Sequence, residues 1–257
     1  MISERALEIV RKNSGPLKKP VRLVIFTSAI GCAACPEALA LGRAIKDQMS
    51  KIALETYDVI MDRDKSDQYN IKQVPAMVVQ GEGGEAVTFY GLIEEVLLHV
   101  LMNTIHAVSD SAVWFPDDVR RALKHLAHDV RIRVFVESDC LLCRPVAETA
   151  IGLALESRLI SADIMIASDF PELIRKHSIT KLPKTVFGDN LQMDGHVSES
   201  EFLEMIFQAE GLKPGPDRKC LACGNSSEDI ICENCKNKIH AEALDHKTRV
   251  ERGLMQA

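Results

Sequence analysis

Two Cys-X-X-Cys pairs, Cys32/Cys35 and Cys140/Cys143, lie 108 residues apart in a chain of 257, and their surroundings repeat with them. Val21 to Phe26 (VRLVIF) precedes the first pair and Val130 to Val136 (VRIRVFV) the second. Both are runs of β-branched and aliphatic residues with the composition of buried strands. After the first pair, Leu41, Ile45, Met49 and Ile52 recur three or four apart, the spacing of one helix face. A second landmark keeps the offset: Val74-Pro75-Ala76-Met77-Val78-Val79 is answered by Leu182-Pro183-Lys184-Thr185-Val186-Phe187, each proline 43 residues beyond the first cysteine of its pair. A proline heading an apolar run fits the first residue of a strand. The repeat therefore implies two units of one architecture in tandem.

In both units the cysteines sit where a strand gives way to a helix. The first turn of a helix presents free N–H groups and the positive end of the dipole, and both favour a thiolate over a thiol. This predicts redox chemistry. Cys32 and Cys140, nearest the helix start, are the expected nucleophiles. Cys35 and Cys143, one turn deeper, are expected to resolve the mixed disulfide. Arg144 follows the second pair and favours a thiolate there, whereas Asp139, just before it, opposes one.

A strand, a CxxC at a helix start, an amphipathic helix and a proline-led strand some forty residues on resemble the thioredoxin fold. Two such units in one chain are similar to the glutaredoxin-like protein disulfide oxidoreductases of thermophiles. The resemblance covers roughly residues 1–210 and rests on VIFTSAIGCAACP, VPAMVV and VTFYG in the first half, and on VFVESDCLLCRP and LPKTVF in the second. It implies an α/β protein with two tandem thioredoxin folds, each a central mixed sheet flanked by helices. It implies that Pro75 and Pro183 are cis-prolines that help dock an extended substrate chain. It also implies protein disulfides as substrates and a separate NAD(P)H-dependent flavoprotein reductase as the electron source; no flavin or nicotinamide motif occurs in this chain. Thioredoxin carries tryptophan before its first cysteine and Gly-Pro between the two. Here Gly31 and Asp139 precede the pairs, and Ala-Ala and Leu-Leu lie between them. Phe26 and Val134 stand where thioredoxin has a buried aspartate.

The remaining four cysteines form a third element. Cys220/Cys223 and Cys232/Cys235 are two knuckles with eight residues between them, and Gly224 follows the first. Four thiolates make the soft tetrahedral donor set that Zn²⁺ takes in structural sites, with rubredoxin-like iron as the alternative. The expectation is a small C-terminal zinc ribbon and helix, held by metal binding worth on the order of 10 kcal/mol, that is structural or docks a partner. His240 is a possible substitute ligand. The following helix is expected over Ile239 to Met255, with Ile239, Ala243, Val250 and Leu254 inward.

The Ser109–Ser111 stretch and the Gly211–Pro216 linker divide the chain into residues 1–110, 111–212 and 213–257. Within the first unit the reading predicts an opening helix capped by Ser3, a strand over Ile52 to Met61, a hairpin of Val74–Val79 with Ala86–Tyr90, and a long helix over Leu92 to Val108. A hydrophobic content of 46% supports a globular core, and no run of about eighteen uncharged apolar residues predicts a membrane span. The charged N-terminus has no signal core, so the expected location is the cytoplasm. There, cysteines in CxxC pairs point to redox or metal chemistry. A net charge of −6 argues against nucleic acid as the partner. A competing reading keeps the fold but not the chemistry: a non-catalytic peptide-binding scaffold tethered by its ribbon. Sulfur relay through a cysteine persulfide is a third.

Overall fold

The computed structural model describes residues 2–111, 115–216 and 218–251. The first unit runs α1 (Glu4–Asn13), β1 (Val21–Thr27), α2 (Cys35–Gln48), β2 (Ile52–Asp58), α3 (Arg63–Gln68), β3 (Ala76–Gln80), β4 (Ala86–Tyr90) and α4 (Glu95–Asp110). The second repeats that order: α5 (Asp117–Leu123), β5 (Val130–Val136), α6 (Cys143–Glu156), β6 (Ile160–Ile166), a 3₁₀ turn, α7 (Pro171–Lys176), β7 (Lys184–Phe187), β8 (Leu191–Asp194) and α8 (Glu199–Ala209). A last helix, α9 (Glu233–Glu251), follows the four-cysteine segment.

The local chemistry explains most boundaries. Ser3 caps α1 by accepting the N–H of Ala6, and Ser198 with Glu201 forms a full capping box at α8. β1 alternates: Leu23 and Ile25 join the core under the long helices, while Val24 and Phe26 join the opposite cluster with Tyr90 and Phe170. β2 ends at Asp58, short of the expected Met61. The Asp58 carboxylate accepts the N–H groups of Ile60 and Met61, and this side-chain turn stops the strand.

In each unit the central strand pairs parallel with the strand after its helix and antiparallel with the proline-led strand. The two sheets then merge. β4 pairs parallel with β6, with Tyr90 opposite Met165, giving one eight-stranded sheet in the order β2-β1-β3-β4-β6-β5-β7-β8. β2 and β8 are its edges. Helices α1, α2, α4, α6 and α8 supply core residues on one face, and the α3 and α7 regions supply them on the other.

Among the described residues, the C-terminal segment carries the four-cysteine cluster, a β-bridge between Lys219 and Ser226, and a helix. Helix α9 begins at Glu233, six residues before the expected start, so the second cysteine pair opens it. Ile230, Ile231 and Ile239 are fully buried in the core they share with the second unit. Arg121 donates to the Ala222 carbonyl at 3.0 Å, and Lys238 pairs with buried Asp118 at 2.7 Å. Ala243 is buried as expected; Leu254 and the Val250 side chain lie outside the described residues. No described helix is long and apolar enough to cross a membrane.

Candidate redox centres and a four-cysteine cluster

Cys32 and Cys35 are joined as a disulfide with Cα atoms 5.4 Å apart, and Cys140 and Cys143 likewise at 5.3 Å. The second cysteine of each pair is the first residue of its helix, α2 or α6. A proline follows within the first turn, where its missing N–H costs nothing. Cys35 and Cys143 are buried, 4% and 2% exposed, while Cys32 and Cys140 are half-buried. Each pair thus has one partly exposed cysteine and one buried one. Around the second pair, the Cys143 N–H donates to the Cys140 carbonyl at 3.2 Å and lies 3.1 Å from its sulfur. A backbone donor there stabilises negative charge on Cys140 once the disulfide opens. The Arg144 guanidinium, expected to favour a thiolate at this pair, is bound to Glu148 one turn along, at 2.8 Å.

The prolines occupy matching places. Ala76 pairs with Phe26, and Lys184 with Phe135, so Pro75 and Pro183 lie beside the strand ends from which the cysteine loops leave. The Val74–Pro75 and Leu182–Pro183 peptides are cis. Each proline carbonyl accepts an N–H from the glycine that follows its hairpin: Gly91 at 3.0 Å and Gly195 at 2.8 Å.

The loops around the two pairs are clamped by different carboxylates. At the first, Asp58 accepts from Ala29 at 2.9 Å as well as from Ile60 and Met61. These three N–H donors hold its carboxyl below the ordinary aspartate value, those of Ile60 and Met61 having the larger effect. At the second, Glu137 accepts from the N–H and the hydroxyl of Ser168. Glu137 stands 108 positions after Ala29 and Ser168 108 after Ile60. The same two loops are joined in both units, with the acid on opposite sides. Neither acid stands out in sequence, because an exposed Asp or Glu is ordinary until its acceptor role is seen.

Cys220, Cys223, Cys232 and Cys235 bring their sulfurs within 4.8 Å of one another, with Cys223 and Cys232 3.8 Å apart. A regular tetrahedron with Zn–S bonds of about 2.3 Å has edges of about 3.8 Å, so the set fits zinc. Burial pushes the Cys220 thiol up, but the N–H groups of Cys232, Cys223 and Ala222 outweigh it and bring it down to about 7. Burial, followed by the Cys223 and Cys232 thiols, pushes Cys235 up. His240 sits away from the set, its ring 3.9 Å from Glu199.

A family model described as a thioredoxin domain matches residues 130–208. Among solved structures, a protein disulfide oxidoreductase from Aeropyrum pernix superposes with a TM-score of 0.73 at 24% identity, over 81% of this chain and 94% of that one. The NTD_N/C domain of the alkylhydroperoxide reductase AhpF from Enterococcus faecalis gives 0.71 at 20% identity, over 80% of this chain and all of the other. Sso1120 from Sulfolobus solfataricus gives 0.52 at 18% identity, over 74% and 97%. This is a tandem thioredoxin-fold protein. No curated protein matches the sequence. The first thioredoxin unit lies outside the matched family segment, and what carries it is the structural match together with the repeated CxxC, cis-proline and glycine placements.

Within the tandem fold the units differ in what surrounds the cysteines. Leu92, expected in the first turn of α4, lies outside that helix. Its N–H donates to Asp169 at 2.8 Å and its carbonyl accepts from the Ser138 hydroxyl at 3.0 Å, both side chains belonging to the second unit. Helix α4 therefore begins at Glu95.

Proposed function

We propose that the protein is a thiol–disulfide oxidoreductase acting on protein disulfides through Cys32/Cys35 and Cys140/Cys143. The observation that carries the reading is the division within each pair: a half-buried sulfur ahead of the helix and a buried one at its first residue. In the reducing direction the Cys32 or Cys140 thiolate attacks one sulfur of a substrate disulfide. A mixed disulfide forms and the other substrate sulfur leaves as a thiolate. Cys35 or Cys143, deprotonated, then attacks the Cys32 or Cys140 sulfur of the mixed disulfide. The second substrate thiolate is released and the enzyme disulfide forms, so two electrons pass to the substrate. Pro75 and Pro183, beside the cysteine loops, are proposed to align an extended substrate backbone.

A separate NAD(P)H-dependent flavoprotein reductase is proposed to return the electrons, in keeping with the structural likeness to part of an alkylhydroperoxide reductase. Cytoplasmic location belongs to the same reading. Residues 1–110 and 111–212 are proposed as the redox units. In 213–257, Cys220, Cys223, Cys232 and Cys235 would hold Zn²⁺, which with four protein ligands has no open position and supplies fold stability rather than chemistry.

The test equilibrates metal-loaded protein across a dithiothreitol series, alkylates it, and scores each cysteine pair by mass. Both thioredoxin pairs are expected to switch in a cellular range while residues 220–235 stay protected. Failure of both pairs to form a disulfide under oxidising conditions would leave the scaffold reading instead.

A further inference from the structure

The segments just ahead of the two cysteine pairs are held in different ways. β1 ends at Thr27 and β5 at Val136, leaving residues 28–31 before Cys32 but only 137–139 before Cys140. The first segment is held from within its own unit. Asp58 accepts the Ala29 N–H at 2.9 Å, and the Ser28 hydroxyl donates to the Ile30 carbonyl at 2.9 Å. Gly31, directly before Cys32, has a φ of +74°, and a Cβ there would meet no atom within 4 Å.

The second segment is fastened to both units. The Glu137 carbonyl accepts the Cys140 N–H at 3.2 Å, and its carboxylate accepts the N–H and the hydroxyl of Ser168 at 3.2 and 2.8 Å. Ser138 reaches the first unit twice. Its hydroxyl donates to the Leu92 carbonyl at 3.0 Å, and its carbonyl accepts the Leu97 N–H at 3.0 Å. The backbone it grips is fixed in turn: the Leu92 N–H donates to Asp169 at 2.8 Å, and the Gly91 N–H donates to the Pro75 carbonyl at 3.0 Å. The cause is topological. β4 pairs parallel with β6, and β6 with β5, so the chain leaving β4 runs beside the segments that leave β6 and β5.

We infer that Ser138 is a positioning residue for the second centre. By anchoring the segment two residues ahead of Cys140 to the main chain of the first unit, it keeps Cys140 where Cys143 can close on it. Opening the disulfide frees the two cysteines to move independently. Cys143 stays fixed as the first residue of α6, and the anchor restrains Cys140 from the other side. Restraining two reacting groups in their bonded arrangement favours closure. The anchor therefore shifts the equilibrium of this pair toward the disulfide, which makes the pair a better electron donor. In the closing step the Cys143 thiolate attacks the Cys140 sulfur, the bond from Cys140 to the substrate sulfur breaks, and the substrate leaves as a thiolate. Ser138 takes no part in those bond changes. This rests on the oxidoreductase reading and specifies how one of its centres is tuned.

The test uses full-length metal-loaded protein as wild type, Ser138→Ala and Ser138→Thr. Each is equilibrated across mixtures of reduced and oxidised dithiothreitol, alkylated, and scored pair by pair by mass. Ser138→Ala removes a hydroxyl and changes no charge. It is expected to shift Cys140/Cys143 toward the dithiol about fivefold, the scale of one net hydrogen bond, or about 20 mV for this two-electron couple. The Cys32/Cys35 midpoint is expected to stay in place. Ser138→Thr keeps the hydroxyl and is expected to restore the wild-type midpoint. An unchanged Cys140/Cys143 midpoint in Ser138→Ala, a shift toward the disulfide, an equal shift at both pairs, or a threonine variant that behaves as alanine overturns the inference alone. If neither pair interconverts in the wild type, the oxidoreductase reading falls and this inference with it.

Discussion

The Arg131 guanidinium on β5 donates to Asp163 on β6, and the same guanidinium reaches the Tyr90 hydroxyl on β4 at 3.3 Å, tying the second unit to the first across their shared sheet. Asp163 is 3% exposed. Removing one partner of a buried pair leaves the other charge without compensation. Asp163→Ala is expected to cost about 3 kcal/mol, the low end of the range for such losses because Arg131 keeps some access to water. Denaturant unfolding checks this, with Asp163→Asn, which retains an acceptor, falling between the two. An unchanged midpoint in Asp163→Ala would mean the pair contributes nothing at the seam.

Gly91 turns the chain out of β4 with a φ of +97°, and a Cβ there would lie 2.9 Å from the Ile166 Cβ. Both facts demand glycine. Gly91→Ala is expected to destabilise the protein by about 1–3 kcal/mol and to speed hydrogen exchange of the Leu92 amide. Loss of stability with Leu92 still protected would separate the turn from the segment it positions.

Asp58 provides a pH dependence whose sign can be worked out. Three backbone donors depress its folded pKa below the ordinary 3.8. Its stabilisation is therefore complete above the ordinary value and is lost as pH falls through the depressed one. The Ala29 and Met61 amides are expected to lose protection only below pH 3.8. In Asp58→Asn, protection should be weaker at neutral pH and should not change across that range. An NMR titration of those amides reads both proteins.

Metal removal is expected to affect more than the tail. Ile230, Ile231 and Ile239 are fully buried against the second unit. A chelator that frees the four cysteines should therefore lower the unfolding free energy by at least about 2 kcal/mol, the scale of returning one buried isoleucine to water. It should also release one zinc per chain by elemental analysis. A stoichiometry of zero in protein expressed with zinc would overturn the metal assignment, and a stable second unit after chelation would show that the tail docks without it.

Much of this architecture is legible in one dimension. A strand such as Val130–Val136 and a helix such as α2 declare themselves because their periods of two and of about 3.6 are written by neighbouring residues. The 108-residue offset brings the cysteines and prolines into matching places, since each depends on one short turn. Four cysteines at two-residue spacing name their own donor set. The merging of the sheets is not legible. Ala86–Tyr90 and Ile160–Ile166 would look the same as strands with or without each other, because a strand's free edge carries backbone groups common to every residue. Everything that follows from that pairing was also hidden. Leu92 looks like the first residue of an apolar helix until Asp169 and Ser138 take its backbone, and Asp58 looks like an interior residue of a strand running to Met61 until three N–H groups converge on it. The sequence by itself determined two repeated units, the cysteine pairs and their prolines, and a set of four soft donors that could hold a metal ion. Only the tertiary structure decided which edges join, and therefore that the chain leaving β4 is held by Asp169 and Ser138 of the second unit, because hydrogen bonds between distant segments leave no periodic trace in the chain.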